Sequence, residues 1–187
     1  MPESTIRSTE SPPAEPRRRG PADLAALLGA FCFFLSAIEY MVPKPLPFMR
    51  LGIANLPILL AADLLPLPWY LALALVKVIG MSVISGSLFS YIVVFSLGGT
   101  LAAAAVMWAA RRALGRRVSQ VGVSILGAFA SNAAQMGIAR ALVFGDSVRL
   151  IAPPFLAAGI VTGILLGVFA ELFAEKSQWY ARAREGR

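Results

Sequence analysis

The chain has 187 residues, 58% of them hydrophobic and 14% charged, with a net charge of +7. Ordinary soluble domains are about 45–50% apolar and about 25% charged, so this composition excludes a conventional water-soluble fold and indicates a multi-pass membrane protein. Histidine is absent, which removes histidine general acid/base catalysis, Ser-His-Asp triads, His-ligated haem and His-containing zinc sites together.

The excess of basic residues does not indicate nucleic acid, because they lie in short clusters at the ends of apolar runs. Residues 1–21, rich in Pro, Ser, Glu and Arg, read as a disordered tail that cannot form a core. The apolar run after "RRRG" lacks a small-residue cleavage site before its polar end at Glu39, so it reads as an uncleaved first helix. The single cysteine, Cys32, offers no disulfide, metal cluster or redox pair and reads as a small buried or lipid-facing hydrophobe.

Crossing the hydrocarbon layer takes about 20 helical residues. Six candidates follow in order: 22–42, 51–67, 69–86, 88–110, 118–144 and 154–174. The second and third are short and joined by "PLPWY", a tight Pro turn with aromatic interface residues. The expected fold is therefore all-α, a polytopic bundle of six transmembrane helices over residues 22–175, followed by a basic tail, 176–187. Arg17–Arg19, the arginines of 111–117 and the basic residues of the C-terminal tail share one side, against Lys44, Arg50 and Arg149 on the other. The positive-inside rule puts both termini in the cytoplasm and "PKPLPFMR" outside.

That external insert, with Pro43, Pro45 and Pro47, stops the first helix and stiffens the connection. Two readings of it stand: a rigid turn whose Lys44 and Arg50 reach headgroups, or a cap over an outward-facing pocket with Arg50 and Asn55 pointing inward. Lys77 lies near the middle of the third span, where an ammonium costs about 2.5–3.5 kcal/mol on insertion scales. Its candidate partners are Asp63, across the short turn, and an acceptor on a ligand. On the fifth span, Ser124, Ser131 and Gln135 share a face, with Asn132 beside them. The stripe is either interhelical hydrogen bonding or a ligand-facing wall. Arg140 reads as snorkelling. "SGSLFSY" holds hydroxyls around Gly86, with Ser87 as an oxyanion donor or a helix cap. Gly159, Gly163 and Gly167 permit a close helix approach, as do Ala22, Ala26 and Ala30 on the first helix.

"RLGIANLP", "ISGSLFS", "FSLGGTL", "VGVSILGAFASNAAQ" and "GIVTGILLG", in this order, resemble the Gx transporter family, also labelled heptaprenyl diphosphate synthase component I. The resemblance runs from about Leu24 to Phe173. The family in turn is similar to the substrate-binding S components of energy-coupling-factor vitamin transporters. It implies an S-component-like six-helix architecture in a bacterial cytoplasmic (inner) membrane, with an external loop covering the substrate. It also implies that Ala22, Ala26 and Ala30 meet a coupling subunit that works with an ATPase. The synthase label finds no aspartate-rich motif for magnesium and diphosphate, since Asp23, Asp63 and Asp146 are isolated from one another. Any link to a prenyl synthase is therefore that of a membrane partner, not a catalyst. The resemblance further implies flavin-dependent, quinone-linked electron transfer beside an extracytoplasmic partner.

The leading expectation is a non-enzymatic small-molecule binding or transport subunit. Its ligand is expected to be anionic or isoprenoid-linked, held by Arg50, Asn55, Lys77, Ser87, Ser131, Asn132 and Gln135, with no metal and no covalent cofactor. The alternatives are an electron-transfer subunit with quinone or flavin as its ligand and a scaffold for a polyprenyl diphosphate synthase. The expected partners are membrane lipids and these subunits, not nucleic acid.

Overall fold

The computed structural model describes residues 20–43 and 52–185. Lys44, Pro45, Pro47 and Arg50, and with them the expected lid, lie outside the described residues. The described chain is helical: α1 (Pro21–Met41), α2 (Leu56–Leu64), α3 (Leu67–Ile84), α4 (Ile92–Leu114), α5 (Gln120–Ala139), α6 (Val148–Lys176) and a short α7 (Gln178–Glu185). Local chemistry sets the starts. Pro21 opens α1, where Gly20 N–H donates to the Asp23 carboxylate at 3.0 Å. Pro66 and Pro68 open α3 directly after α2, and Ser119 caps α5 by accepting from Gly122 N–H at 3.1 Å.

Among the described residues four helical runs are long and apolar enough to cross a membrane: Pro21–Met41, Leu67–Ile84, Ile92–Leu114 and Gln120–Lys176. The last holds α5 and α6, which double back through Arg140–Phe144 and Gly145, whose φ of 52° suits glycine. Arg140, expected to reach for headgroups, is ion-paired there with Asp146 at 2.9 Å. The expected second span is different in kind. Ile53–Leu64 is a shorter apolar helical stretch, about 18 Å long at about 1.5 Å per residue, against a hydrocarbon core of about 30 Å.

That short helix is the centre of the molecule. Eight of the nine residues of α2 are buried, and it touches α1, α3, α4, α5, α6 and α7. An all-round apolar surface of this kind can only be satisfied on every side. Around it, α1 packs on α3, α4 on α5, and α5 on α6. The glycine stripe of α6 is internal: a Cβ at Gly159 would strike the Asn132 side chain, and one at Gly167 would strike the Val121 backbone. The small-residue stripe of α1 is not: Ala22, Ala26 and Ala30 are exposed beside Leu27 and Phe34, while Leu24, Leu28 and Cys32 face the core.

Candidate functional site

The two ends of α2 carry the polar chemistry. At its start, Glu39 of α1 is 2% exposed, and its carboxylate accepts from Gly52 N–H at 3.3 Å and Ala54 N–H at 3.0 Å. A carboxylate on the free amides of a helix start is a favourable placement. It also ties the C-terminal end of α1 to the start of α2. Gly52 holds a φ of 81°, which a side chain would strain. One turn on, the Asn55 amide oxygen accepts from Lys77 Nζ at 2.9 Å, and the Thr100 hydroxyl of α4 accepts from the same ammonium at 2.9 Å. Lys77 is 3% exposed, and a buried ammonium persists only with such acceptors.

These groups form one wall of a small, partly open cavity of about 30 Å³. The facing wall belongs to α5, with Ser124, Ser131, Asn132 and Gln135, and to α6, with Thr162. Asn132 Nδ2 donates to the Phe155 carbonyl at 3.0 Å, and Gln135 Nε2 donates to Ser131 Oγ at 3.0 Å. Glycine makes room for these amides: a Cβ at Gly99 would lie 2.6 Å from Gln135 Nε2. Leu56, Leu59, Met107 and Leu166 supply the apolar lining. Among the described lining residues Lys77 alone is charged.

Five of the seven ligand residues expected from sequence therefore meet here: Asn55, Lys77, Ser131, Asn132 and Gln135. Arg50 lies outside the described residues. Ser87 does not line the cavity; its hydroxyl pairs with Ser85 Oγ at 2.6 Å in the turn before α4, and α4 begins later, after Tyr91. Sequence reasoning missed Glu39, Thr100 and Thr162. Glu39 was detectable as an ionisable residue inside an apolar run. Thr100 and Thr162 were not, because an isolated threonine in a helix more often bonds its own backbone.

At the other end of α2, Asp63 gathers a second cluster. Its carboxylate lies 3.4 Å from Arg111 Nε and accepts from Gln120 Nε2 at 3.0 Å and Tyr180 Oη at 3.1 Å. Arg111 also donates to the Val118 carbonyl at 2.9 Å. One aspartate so joins α2, α4, α5 and α7. Burial, and then the charge of Asp63, push the Tyr180 phenol above its ordinary pKa, so it stays a donor. Of the two partners expected for Lys77, Asp63 serves this second cluster, while Lys77 donates to Asn55 and Thr100. Among the described residues no group of three His, Cys, Asp or Glu is placed to hold a metal.

Residues 28–173 match the family described as heptaprenyl diphosphate synthase component I. No curated protein and no solved structure matches the chain.

Proposed function

Because the chain belongs to the heptaprenyl diphosphate synthase component I family and is a polytopic membrane protein, we propose that it is a binding subunit, without catalysis of its own, for a small anionic ligand. The single observation that carries this reading is the cavity between Lys77 and the amides of α5. A buried cation opposite hydrogen-bonding groups, in a low-dielectric surround, is the arrangement that holds an anion or a polarised carbonyl. The proposed topology is six passes of the cytoplasmic membrane with both termini inside, the second pass made by the short α2 within the bundle and not by a full-length span. It follows from the basic residues at the α4–α5 junction and the C-terminus. The cavity then faces outward, since Gly52 and Asn55, which line it, adjoin the external connection. On this reading the chain works as a transport S component, and Ala22, Ala26 and Ala30 would meet its coupling subunit.

Extraction and mass spectrometry of protein purified in nanodiscs test the binding reading. Wild-type protein is expected to release a small anion that folded Lys77→Gln protein lacks. Identical extracts would overturn it. Topology is tested separately in a Cys32→Ala background: Phe89→Cys is expected to label from outside intact cells and Leu114→Cys only after permeabilisation. External labelling at position 114 would reverse the orientation.

A second reading comes from the family's own description, which names a component of heptaprenyl diphosphate synthase. On that reading the chain anchors a soluble prenyl synthase, and the cavity holds part of an isoprenoid. Co-purification with a prenyl synthase instead of an ATPase-linked coupling subunit separates the two. A quinone or flavin in the same cavity would mark the redox variant.

A further inference from the structure

The three tryptophans of the chain lie at one end of the bundle. Trp69 is in the first turn of α3, Trp108 near the close of α4, and Trp179 in the first turn of α7. Asp63 shows that these turns are neighbours: it stands just before α3, and its carboxylate meets both Arg111 of α4 and Tyr180 of α7. Indole rings gather where hydrocarbon gives way to headgroups. Exposed cations stand at the same end. Arg112 is in the last turn of α4, Arg117 follows it, Lys176 ends α6, and Arg182 lies on α7. Among the described residues the exposed carboxylates there are Glu175 and Asp23, and Asp23 already accepts from Gly20 N–H. The end therefore keeps a positive excess.

Two of these cations are held by other means than a carboxylate. The Arg112 guanidinium carbon lies 5.1 Å from the centre of the Trp108 ring. Stacking of that kind orients the planar fork and leaves its N–H donors for an acceptor. On α7, Tyr180 is buried and Trp179 and Ala183 pack on the core, which leaves Arg182 on the exposed side. The start of that helix is fixed by Ser177, whose hydroxyl accepts from Tyr180 N–H at 3.3 Å.

We propose that this end of the bundle is a docking surface for anionic phospholipid headgroups, with Arg112 of α4 and Arg182 of α7 as its principal contacts. The proposal does not use the cavity and is independent of the anion-binding reading above. An acidic protein face would match the charge but gives the indoles no place; an anionic headgroup above hydrocarbon matches both.

Native mass spectrometry of full-length protein in detergent, titrated with dioctanoyl phosphatidylglycerol or dioctanoyl phosphatidylcholine, tests this. Wild-type protein is expected to retain phosphatidylglycerol at least about tenfold more tightly than phosphatidylcholine. Arg112→Gln and Arg182→Gln are each expected to weaken phosphatidylglycerol about fivefold, the effect of one basic residue near an anionic surface. Arg112→Lys keeps the charge and is expected to restore most of the loss. Arg149→Gln, which removes an exposed arginine at the opposite end, is expected to change nothing. Equal retention of the two lipids by wild type overturns the proposal and leaves these charges to an acidic protein partner. An equal loss in Arg149→Gln overturns it as well, because net charge alone would then draw the lipid. Inorganic phosphate that displaces phosphatidylglycerol at equal concentration overturns it in favour of a free-anion site.

Discussion

The two ends of α2 solve one problem in opposite ways. Both place an ionisable group inside an apolar bundle. At the Asp63 end, Arg111, Gln120 and Tyr180 from three other helices close on the carboxylate. At the Asn55 end, Lys77 has acceptors on α2 and α4, but the space beside it stays open and is walled by amides. A charge enclosed by protein groups is a fastener, because each removed partner leaves an orphan in a low-dielectric place. A charge beside a cavity can take water or ligand as a substitute partner. Buried ionisable groups therefore fasten helices together at one end and border open space at the other.

The largest test of that contrast is Asp63→Ala. It strips a nearly buried guanidinium, an amide and a phenol of one acceptor and is expected to destabilise the protein by about 3–5 kcal/mol. Thermal unfolding in nanodiscs reads the loss; a melting point within a degree of wild type would mean that the junction fastens nothing. Tyr180→Phe takes away one hydrogen bond to the same carboxylate and leaves the others. The expected loss is about 1.5–3 kcal/mol, and limited proteolysis should release α7 first. Protection of 178–185 as in wild type would show that Trp179 and Ala183 dock that helix without the phenol. Thr100→Val removes one acceptor of Lys77 at nearly constant shape. Because water in the cavity can replace the hydroxyl, the expected loss is the smallest, under about 1 kcal/mol. A loss as large as that of Tyr180→Phe would erase the distinction between the two ends.

The glycine stripes repeat the contrast. Gly159, Gly163 and Gly167 follow the same four-residue spacing as Ala22, Ala26 and Ala30. Yet the first set is pressed against α5 and the second is exposed on α1. Spacing alone marks a face that allows close approach; it does not say whether the neighbour is in the same chain. The exposed stripe is the one left for a partner or for lipid.

Much of this was written in the sequence, for one reason. A polar side chain in an apolar run is expensive, so Lys77, Asn55, Ser131, Asn132 and Gln135 stood out against their surroundings, and all five line the cavity. The apolar runs themselves determined the all-α membrane class, because a backbone in hydrocarbon must satisfy its own hydrogen bonds. Only the tertiary structure decided who meets whom. Asp63 bonds Tyr180, 117 positions away, and Thr100 reaches Lys77 across 23. Those pairings depend on how each helix is rotated about its axis, and rotation is set by packing against every neighbour at once. It was likewise packing that made α2 a short central core instead of a wall. A run that is apolar on all faces carries no sign of which face turns where, and only the surrounding helices supply one.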